Sequence, residues 1–349
     1  MRPFVSIVVP CRNEATSLAR SVQSILASNY PPDRMEVIVA DGMSQDGSRA
    51  LLDQLAAGDA RLRILENPAR ITPTALNRAI EAAHGDFILR IDAHSVIAPD
   101  YISTLVGYLE QNPEAWGAGG RMITEPETRG LFAEPISIVL SHRFGVGNSR
   151  FRTGGRASAQ QVDTVFNCCW RRDVFRRVGL FHEQLIRSQD IEMSSRIAAA
   201  GGTLWLVPQA ETTYFAKSRF AAYVRHNWAN GIWSVVPAIY LGYLPVGWRH
   251  LVPLAFVASL GCATAIAALI PELRLLPLLP ALPYALVNFL ASCAAAWSRR
   301  SLRLAPLLAL TFAGLHLAYG AGSLWGALRV AASALRHPEI FSRTPSTTT

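Results

Sequence analysis

Residues 85–94, Gly-Asp-Phe-Ile-Leu-Arg-Ile-Asp-Ala-His, join a buried-strand pattern to two side chains that can do chemistry. β-favouring apolar positions run into Asp92 and His94, so the strand stops by presenting an oxygen and a nitrogen donor at its C-terminal end. In open α/β sheets, ligands bind at that end of the strands. Asp92 and His94 are two residues apart, and in an extended chain their side chains leave on the same face. A divalent metal or a sugar nucleotide could meet both. The segment alone also admits a plainer reading, in which Asp92 caps the following turn and His94 is only exposed. A second acid, Asp41, closes another strand-like run, residues 35–40. Its carboxylate can accept from a nucleobase N–H, or it can serve an Asp-Gly turn. Two acids at strand ends weigh toward a site.

The elements that must position these acids follow from periodicity. Residues 5–10 form a first strand ended by Pro10, and residues 11–14 a loop. Residues 15–28 have helical spacing, with Leu18, Val22, Ile25 and Leu26 on one face. Strand 35–40 is followed by the turn 41–48. Helix 48–55, strand 61–66 and helix 73–83 lead to strand 86–91. Such alternation predicts an α/β fold with a doubly wound parallel sheet.

The C-terminal third reads differently. Residues 251–271, 275–297 and 304–328 contain no Asp, Glu, Lys or Arg, and each is long enough to cross a hydrocarbon core of roughly 30 Å as a helix. Pro277, Pro280 and Pro283 predict a kink or a re-entrant hairpin in the second. His316 in the third is expected to be neutral and bonded to a neighbouring helix. Residues 1–3 run straight into a strand rather than a cleavable apolar segment, so the N-terminal domain is expected in the cytosol. Arg249, His250, Arg299, Arg300 and Arg303 fit the positive-inside rule, whereas Arg329, Arg336 and Arg343 count against an external tail. The net charge of +8 is carried almost wholly by arginine and suits anionic lipid headgroups. No nucleic-acid motif competes with that reading. Cys11, Cys168, Cys169, Cys262 and Cys293 have no metal-ligand spacing and read as reduced, mostly buried thiols.

Taken in order, residues 5–14 (Val-Ser-Ile-Val-Val-Pro-Cys-Arg-Asn-Glu), 39–48, 91–94, 171–183 and 188–192 (Ser-Gln-Asp-Ile-Glu) resemble the successive motifs of family 2 glycosyltransferases. The resemblance covers residues 4–215. It implies a GT-A fold, a Rossmann-like domain that binds nucleotide-diphospho-sugars, at residues 1–222. An amphipathic membrane-interface segment follows at 223–249, about three transmembrane helices at 250–330, and a polar tail at 331–349. In the family, the acid after the second strand reads the nucleotide base, and Asp41 matches it. Ala40 stands where many members carry another Asp, and Met43 is an extra residue in the turn. Glu14, Arg70 and Asn77 fall where members have nucleotide-sugar ligands; Arg70 and Asn77 could equally serve a solvated loop and a helix start.

The family's Asp-X-Asp places its last acid on Mg²⁺ or Mn²⁺ bridging the diphosphate. Here the triplet is Asp92-Ala93-His94. A neutral His binds Mn²⁺ through nitrogen while Mg²⁺ prefers oxygen, so the triplet implies a divalent metal held by Asp92 and His94, and favours Mn²⁺. The leaving diphosphate gathers charge that a cation must stabilise. Asp190 matches the general base of inverting members, and also suits a helix N-cap. Gln189 replaces the Glu that often precedes this acid. Glu192 is expected to pair with Arg196 at i,i+4 spacing.

Arg171 is a weak acceptor-side or diphosphate candidate. Residues 148–159 read as a loop that closes over the diphosphate, or as a plain surface loop. Arg225 and Trp228 stand near the Gln-X-X-Arg-Trp position of polysaccharide synthases, where interfacial placement explains them equally well. Residues 92–95, 225–228 and 317–326 most resemble bacterial membrane glucosyltransferases of the succinoglycan-synthesis type. That implies transfer of glucose from UDP-glucose to an undecaprenyl-diphosphate-linked saccharide at the bacterial inner membrane. The alternatives are a polyprenyl-phosphate glycosyltransferase and a non-catalytic membrane scaffold.

Overall fold

The computed structural model describes residues 2–155 and 157–336. They divide into two compact units. One is the chain up to Ile123 together with Arg150–Phe215; the other is Thr124–Ser149 together with the chain from Ala216 onward.

In the first unit, strands β1 (Val5–Cys11), β2 (Met35–Asp41), β3 (Leu62–Glu66) and β4 (Phe87–Arg90) alternate with helices Leu18–Leu26, Ser48–Gly58 and Thr72–Glu81. The strands pair in parallel in the order β3-β2-β1-β4. Continuous Val/Ile runs make this arrangement stable, because a parallel strand is buried on both faces. Val5, Ile7 and Val9 pack in one layer with Leu18, Val22, Ile25 and Leu105. Val8, Ile38 and Ile88 pack in the other with Leu76, Ala79, Met193 and Ile197. These elements lie within a few residues of where the spacing predicts them.

Beyond β4 the sheet turns mixed. Strands β5 (Ser95–Ile97), β6 (Ala115–Pro126), β7 (Gln160–Val162), β8 (Phe166–Arg171) and β9 (Thr203–Ala216) extend it in the order β4-β8-β6-β9-β5, with β7 also on β9. β8 runs antiparallel to both β4 and β6. Phe87 faces Arg171 and Leu89 faces Cys169, so the start of β8 lies beside the end of β4.

The entry side of the sheet is held by a buried carboxylate. Glu36 accepts from the Ser6 hydroxyl at 2.7 Å, the Arg63 guanidinium at 2.7 Å and the His84 amide at 2.8 Å. The Gly85 amide in turn donates to the Ser6 hydroxyl at 2.8 Å, which sets the chain's approach to β4. Burial alone would raise the Glu36 carboxyl. The bonds from Ser6, His84 and Arg63 outweigh it and hold the group below its ordinary value. A pKa depressed on folding stabilises above the unfolded value of about 4.3, and that contribution is lost as pH falls through the folded value. Glu36→Gln is therefore expected to cost about 1–3 kcal/mol at neutral pH, with the gap to wild type closing on acidification. Denaturant melts at pH 7 and at pH 4 check this; a constant gap would remove the ionised Glu36 as its source.

The second unit holds three helices long and apolar enough to cross a membrane, within Trp248–Leu269, Pro271–Ser298 and Leu302–Arg336. Pro283 lies inside one unbroken helix, Leu278–Ser298, so this stretch forms no hairpin. Helix Ala305–Arg336 runs past the expected end at 330, and residues 337–349 lie outside the described residues. The helix Phe220–Val235 straddles the expected boundary at 222/223, and it buries Tyr223, Asn227, Gly231, Ser234 and Val235 along one stripe. A Cβ on Gly231 would collide with the Tyr319 carbonyl, and one on Gly322 with the Trp228 carbonyl. Small residues thus bring this helix against the last one, as in helix pairs packed within membranes. The hydroxyls of Ser234 and Ser323 meet there at 3.1 Å. His316 is bonded on both ring nitrogens, to the Tyr284 hydroxyl at 3.1 Å and the Phe144 carbonyl at 2.9 Å. It is tied to its neighbours, as the sequence predicts. Among the cysteines, Cys11, Cys168 and Cys169 are buried free thiols, whereas Cys262 is exposed.

Candidate active site

Strands β1, β2 and β4 end on the same side of the sheet because they are parallel. The loops after them are stitched together by short polar side chains. The Asn13 amide donates to the Ser44 hydroxyl at 2.9 Å and the Gln45 amide to the Asn13 side chain at 2.8 Å. The Glu14 amide donates to the Ser48 hydroxyl at 2.9 Å, and the Ala15 amide to Asp46 at 3.0 Å. Asn13, Met43, Arg70, Asn167 and Ser188 all adopt positive φ in this region. Left-handed backbone at non-glycine residues costs free energy and gathers where geometry serves function.

Asp41 is buried at the end of β2 and accepts from the Ser44 hydroxyl at 2.6 Å and the Ser44 amide at 3.2 Å. The turn reading of this acid is therefore realised, and the extra residue Met43 takes the positive φ that the turn demands. Next to it, burial and then the charges of Asp41 and Glu14 push the Cys11 thiol up to about 12, so this cysteine stays protonated and inert. Arg70 is exposed, and its carbonyl accepts from the Arg12 guanidinium at 2.8 Å. Asn77 is buried and spends both ends of its amide on Phe181, donating to the carbonyl and accepting from the amide at 2.9 Å each. It also donates to Glu183 at 3.2 Å. Its place is that of a clamp on residues 181–183.

Residues 92–95 form a turn in which the Ser95 amide donates to the Asp92 carbonyl at 2.9 Å, so the extended chain expected through His94 is not kept; His94 stands beside Glu14. The His94 Nδ1 lies 3.2 Å from a Glu14 oxygen, and the ring meets Tyr214 edge-on at 5.5 Å. Glu14 is thus turned to the histidine, the way a carboxylate orients an imidazole that binds metal. The Asp92 amide donates to the Asn167 side chain at 3.3 Å, and the Tyr101 hydroxyl fastens the Asn167 carbonyl at 2.9 Å. Burial alone would raise the Asp92 carboxyl; Arg90, and then His94, overcome it and hold the group below the ordinary range. Among the described residues no three His, Cys, Asp or Glu side chains gather to hold a metal unaided. Asp92 and His94 supply one oxygen and one nitrogen donor. A divalent ion taking both would need donor phosphates and water for its remaining positions.

The residue that sequence reasoning passed over is Arg90. It is 6% exposed. Its Nε donates to Asp92 Oδ1 at 3.0 Å, and its Nη1 donates to Asp190 Oδ1. A charged residue inside an otherwise apolar strand was the available signal, since a buried charge requires partners. Asp190 sits in the first turn of helix Gln189–Ala199, after Ser188 at φ 63°. Burial pushes its carboxyl above the ordinary value; Arg90 pulls it back, and Asp92 adds to the rise. Glu192 pairs with Arg196 at 2.6 Å, as the spacing predicts.

Arg171 is not brought to this cluster. Its guanidinium caps the carbonyls of Leu109, Asn112 and Ala115, and it faces Phe87 at the start of β4. Five residues of extended chain separate Phe87 from Asp92, about 16 Å. Antiparallel pairing of β8, which the sequence pattern did not reveal, puts it there. In the loop 148–159, residues Arg150–Thr153 form a helical turn. There Arg152 lies over the rings of Phe151 and Tyr214, at 5.5 and 5.8 Å, with its Nη1 buried and without a hydrogen-bond partner among the described residues. Arg225 and Trp228 are exposed on helix Phe220–Val235 of the second unit.

Residues 6–179 match the model of the family described as Glycosyl transferase family 2. The succinoglycan biosynthesis protein ExoA of Rhizobium meliloti is 28% identical over 324 residues, 90% of this chain and 92% of that one. The chain belongs to the family 2 glycosyltransferases. A second relative of this transferase is the dolichyl N-acetyl-α-D-glucosaminyl phosphate 3-β-D-2,3-diacetamido-2,3-dideoxy-β-D-glucuronosyltransferase of Methanococcus voltae. It is 25% identical over 74% of this chain and 80% of its own. Among solved structures, the mannosyltransferase PcManGT of Pyrobaculum calidifontis, in complex with GDP-Man and Mn²⁺, superposes with a TM-score of 0.60 at 19% identity. It covers 93% of this chain and 88% of its own. The transferase therefore has the GT-A fold.

Proposed function

We propose that this transferase inverts the anomeric centre as it moves a hexose, glucose from UDP-glucose, to an undecaprenyl-diphosphate-linked saccharide in exopolysaccharide synthesis. The work is done on the cytosolic face of the bacterial inner membrane, crossed by the apolar helices. The observation that carries the reading is the pairing of a strand-end carboxylate, Asp92, with a helix-start carboxylate, Asp190, on one guanidinium. One serves the donor end and the other the acceptor end of a displacement. Asp190 takes the proton from an acceptor hydroxyl, whose oxygen bonds to C1 as the C1–O bond to the diphosphate breaks and the nucleoside diphosphate leaves. The upward pull of burial on Asp190 suits a base, since catalytic efficiency rises as the pKa approaches working pH.

A divalent ion bound at Asp92 and His94 supplies positive charge to the leaving diphosphate. Support comes from the Mn²⁺ in the fold relative. Asp41 and Arg70 sit at loops suited to border the nucleotide, and Arg152, whose Nη1 is buried with no hydrogen-bond partner among the described residues, is suited to a phosphate. The lipid-linked acceptor draws support from the succinoglycan relative and from the lipid-phosphate saccharide in the name of the archaeal one.

UDP or GDP release by the full-length chain in membranes, measured across UDP- and GDP-sugars with Mn²⁺ and with Mg²⁺, tests this. UDP-glucose is expected to turn over fastest. A preference for a GDP-sugar would overturn the donor, and no turnover with any sugar nucleotide would overturn the reading itself.

A further inference from the structure

The only hydrogen bond on the Asp190 carboxylate from a described residue comes from Arg90. The guanidinium that makes it is almost wholly inside the protein, with its side chain 8% exposed. Taking such a group out of water costs several kcal/mol unless its geometry is met by opposite charge. Here two carboxylates meet it, one from its own strand and one from a helix 100 residues later. Arg90 and Asp92 are two apart in an extended segment, so both side chains leave on one face. The planar fork then spans from Asp92 to Asp190. In each carboxylate Oδ1 is engaged, and Oδ2 accepts no hydrogen bond from a described residue.

We infer that Arg90 is the positioning residue that sets the spacing between the donor-binding carboxylate and the base, holding each by one oxygen and leaving the other for substrate. The inference rests on Asp190 being the base. Arg90 touches neither sugar nor acceptor in this role. It acts through the two acids, and its contribution is geometric: the attacking oxygen must line up with the leaving diphosphate. Lysine keeps the charge but is a point donor that cannot span two carboxylates in one plane.

The test uses the full-length chain in detergent with UDP-glucose and Mn²⁺ as probes, following UDP release and, by calorimetry, UDP-glucose binding. Arg90→Lys is expected to lower kcat about 10²-fold, the cost of a misplacement near 1 Å. KM and the calorimetric Kd should stay within about threefold, as for an interaction used only in the transition state. In Arg90→Ala, added guanidinium ion is expected to restore part of kcat, which a general loss of fold would not allow. Asp190→Asn runs beside both and is not rescued. Arg90→Lys as active as wild type, with Asp190→Asn inert, removes the role of Arg90 alone. Asp190→Asn as active as wild type removes the base and this role with it. Loss of UDP-glucose binding in Arg90→Lys, or no guanidinium rescue in the alanine variant, would make Arg90 a folding residue and overturn the inference.

Discussion

Asp190→Asn is expected to lower transfer by about 10²–10⁴-fold, the span of a single general base, while UDP-glucose affinity stays unchanged. Asn keeps the shape of the side chain but cannot take up the acceptor's proton at neutral pH. The buried guanidinium of Arg90 still has Asp92 as a partner at 3.0 Å, so the strand end remains neutralised and the fold is spared. The measurement is product formation per bound donor, with calorimetry of UDP-glucose alongside. The size of the drop also discriminates between acceptors. A polyprenyl phosphate is already ionised and needs no base, so a variant within a few-fold of wild type would point to that acceptor and sink the assignment of Asp190.

Asp92→Ala is expected to lower turnover by about 10²–10³-fold, the usual cost of losing one group that stabilises developing charge. It removes the oxygen donor of the metal pair and leaves Arg90 with a single carboxylate. The companion substitution His94→Asp changes the donor set instead of deleting it. Oxygen in place of nitrogen is expected to move the preference from Mn²⁺ toward Mg²⁺. The new carboxylate would also stand beside Glu14, whose oxygen lies 3.2 Å from the present ring nitrogen. Repulsion between the two should make activity depend more steeply on the cation. Activity titrated with each metal after chelation measures both effects. An unchanged Mn²⁺/Mg²⁺ ratio in His94→Asp would take the histidine out of the metal site, and full activity after chelation would remove the metal altogether.

Two buried charges of the first unit share a physical logic, each being met by opposite charge. Glu36 is matched by Arg63 on the entry side of the sheet, and Arg90 by two acids on the exit side. The entry-side set aligns β4; the exit-side set is where substrate chemistry can occur. Arg152 differs, since its buried Nη1 finds no hydrogen-bond partner among the described residues.

Local pattern was enough for the first four strands, their helices and the three apolar helices. A continuous Val/Ile run such as residues 5–9, or twenty residues without a charge, has one stable environment whatever its neighbours are. It was also enough to single out Asp41, Asp92 and His94, because polar groups that close an apolar run must be accounted for, whereas Asp190 stood out only through the resemblance to the family. What it could not supply is which of these groups meet. Arg90 pairs with Asp190 across 100 residues of chain. Arg171, equally basic and near the same motif, is carried by antiparallel β8 to the opposite end of the sheet. Asn77 spends its amide on Phe181, and Glu14 turns to His94. Strand direction and side-chain pairing over long separations depend on how the packed layers close, and only the tertiary structure decides them. The sequence by itself determined the kind of groups available for chemistry; the fold decided that one buried guanidinium holds two of them together.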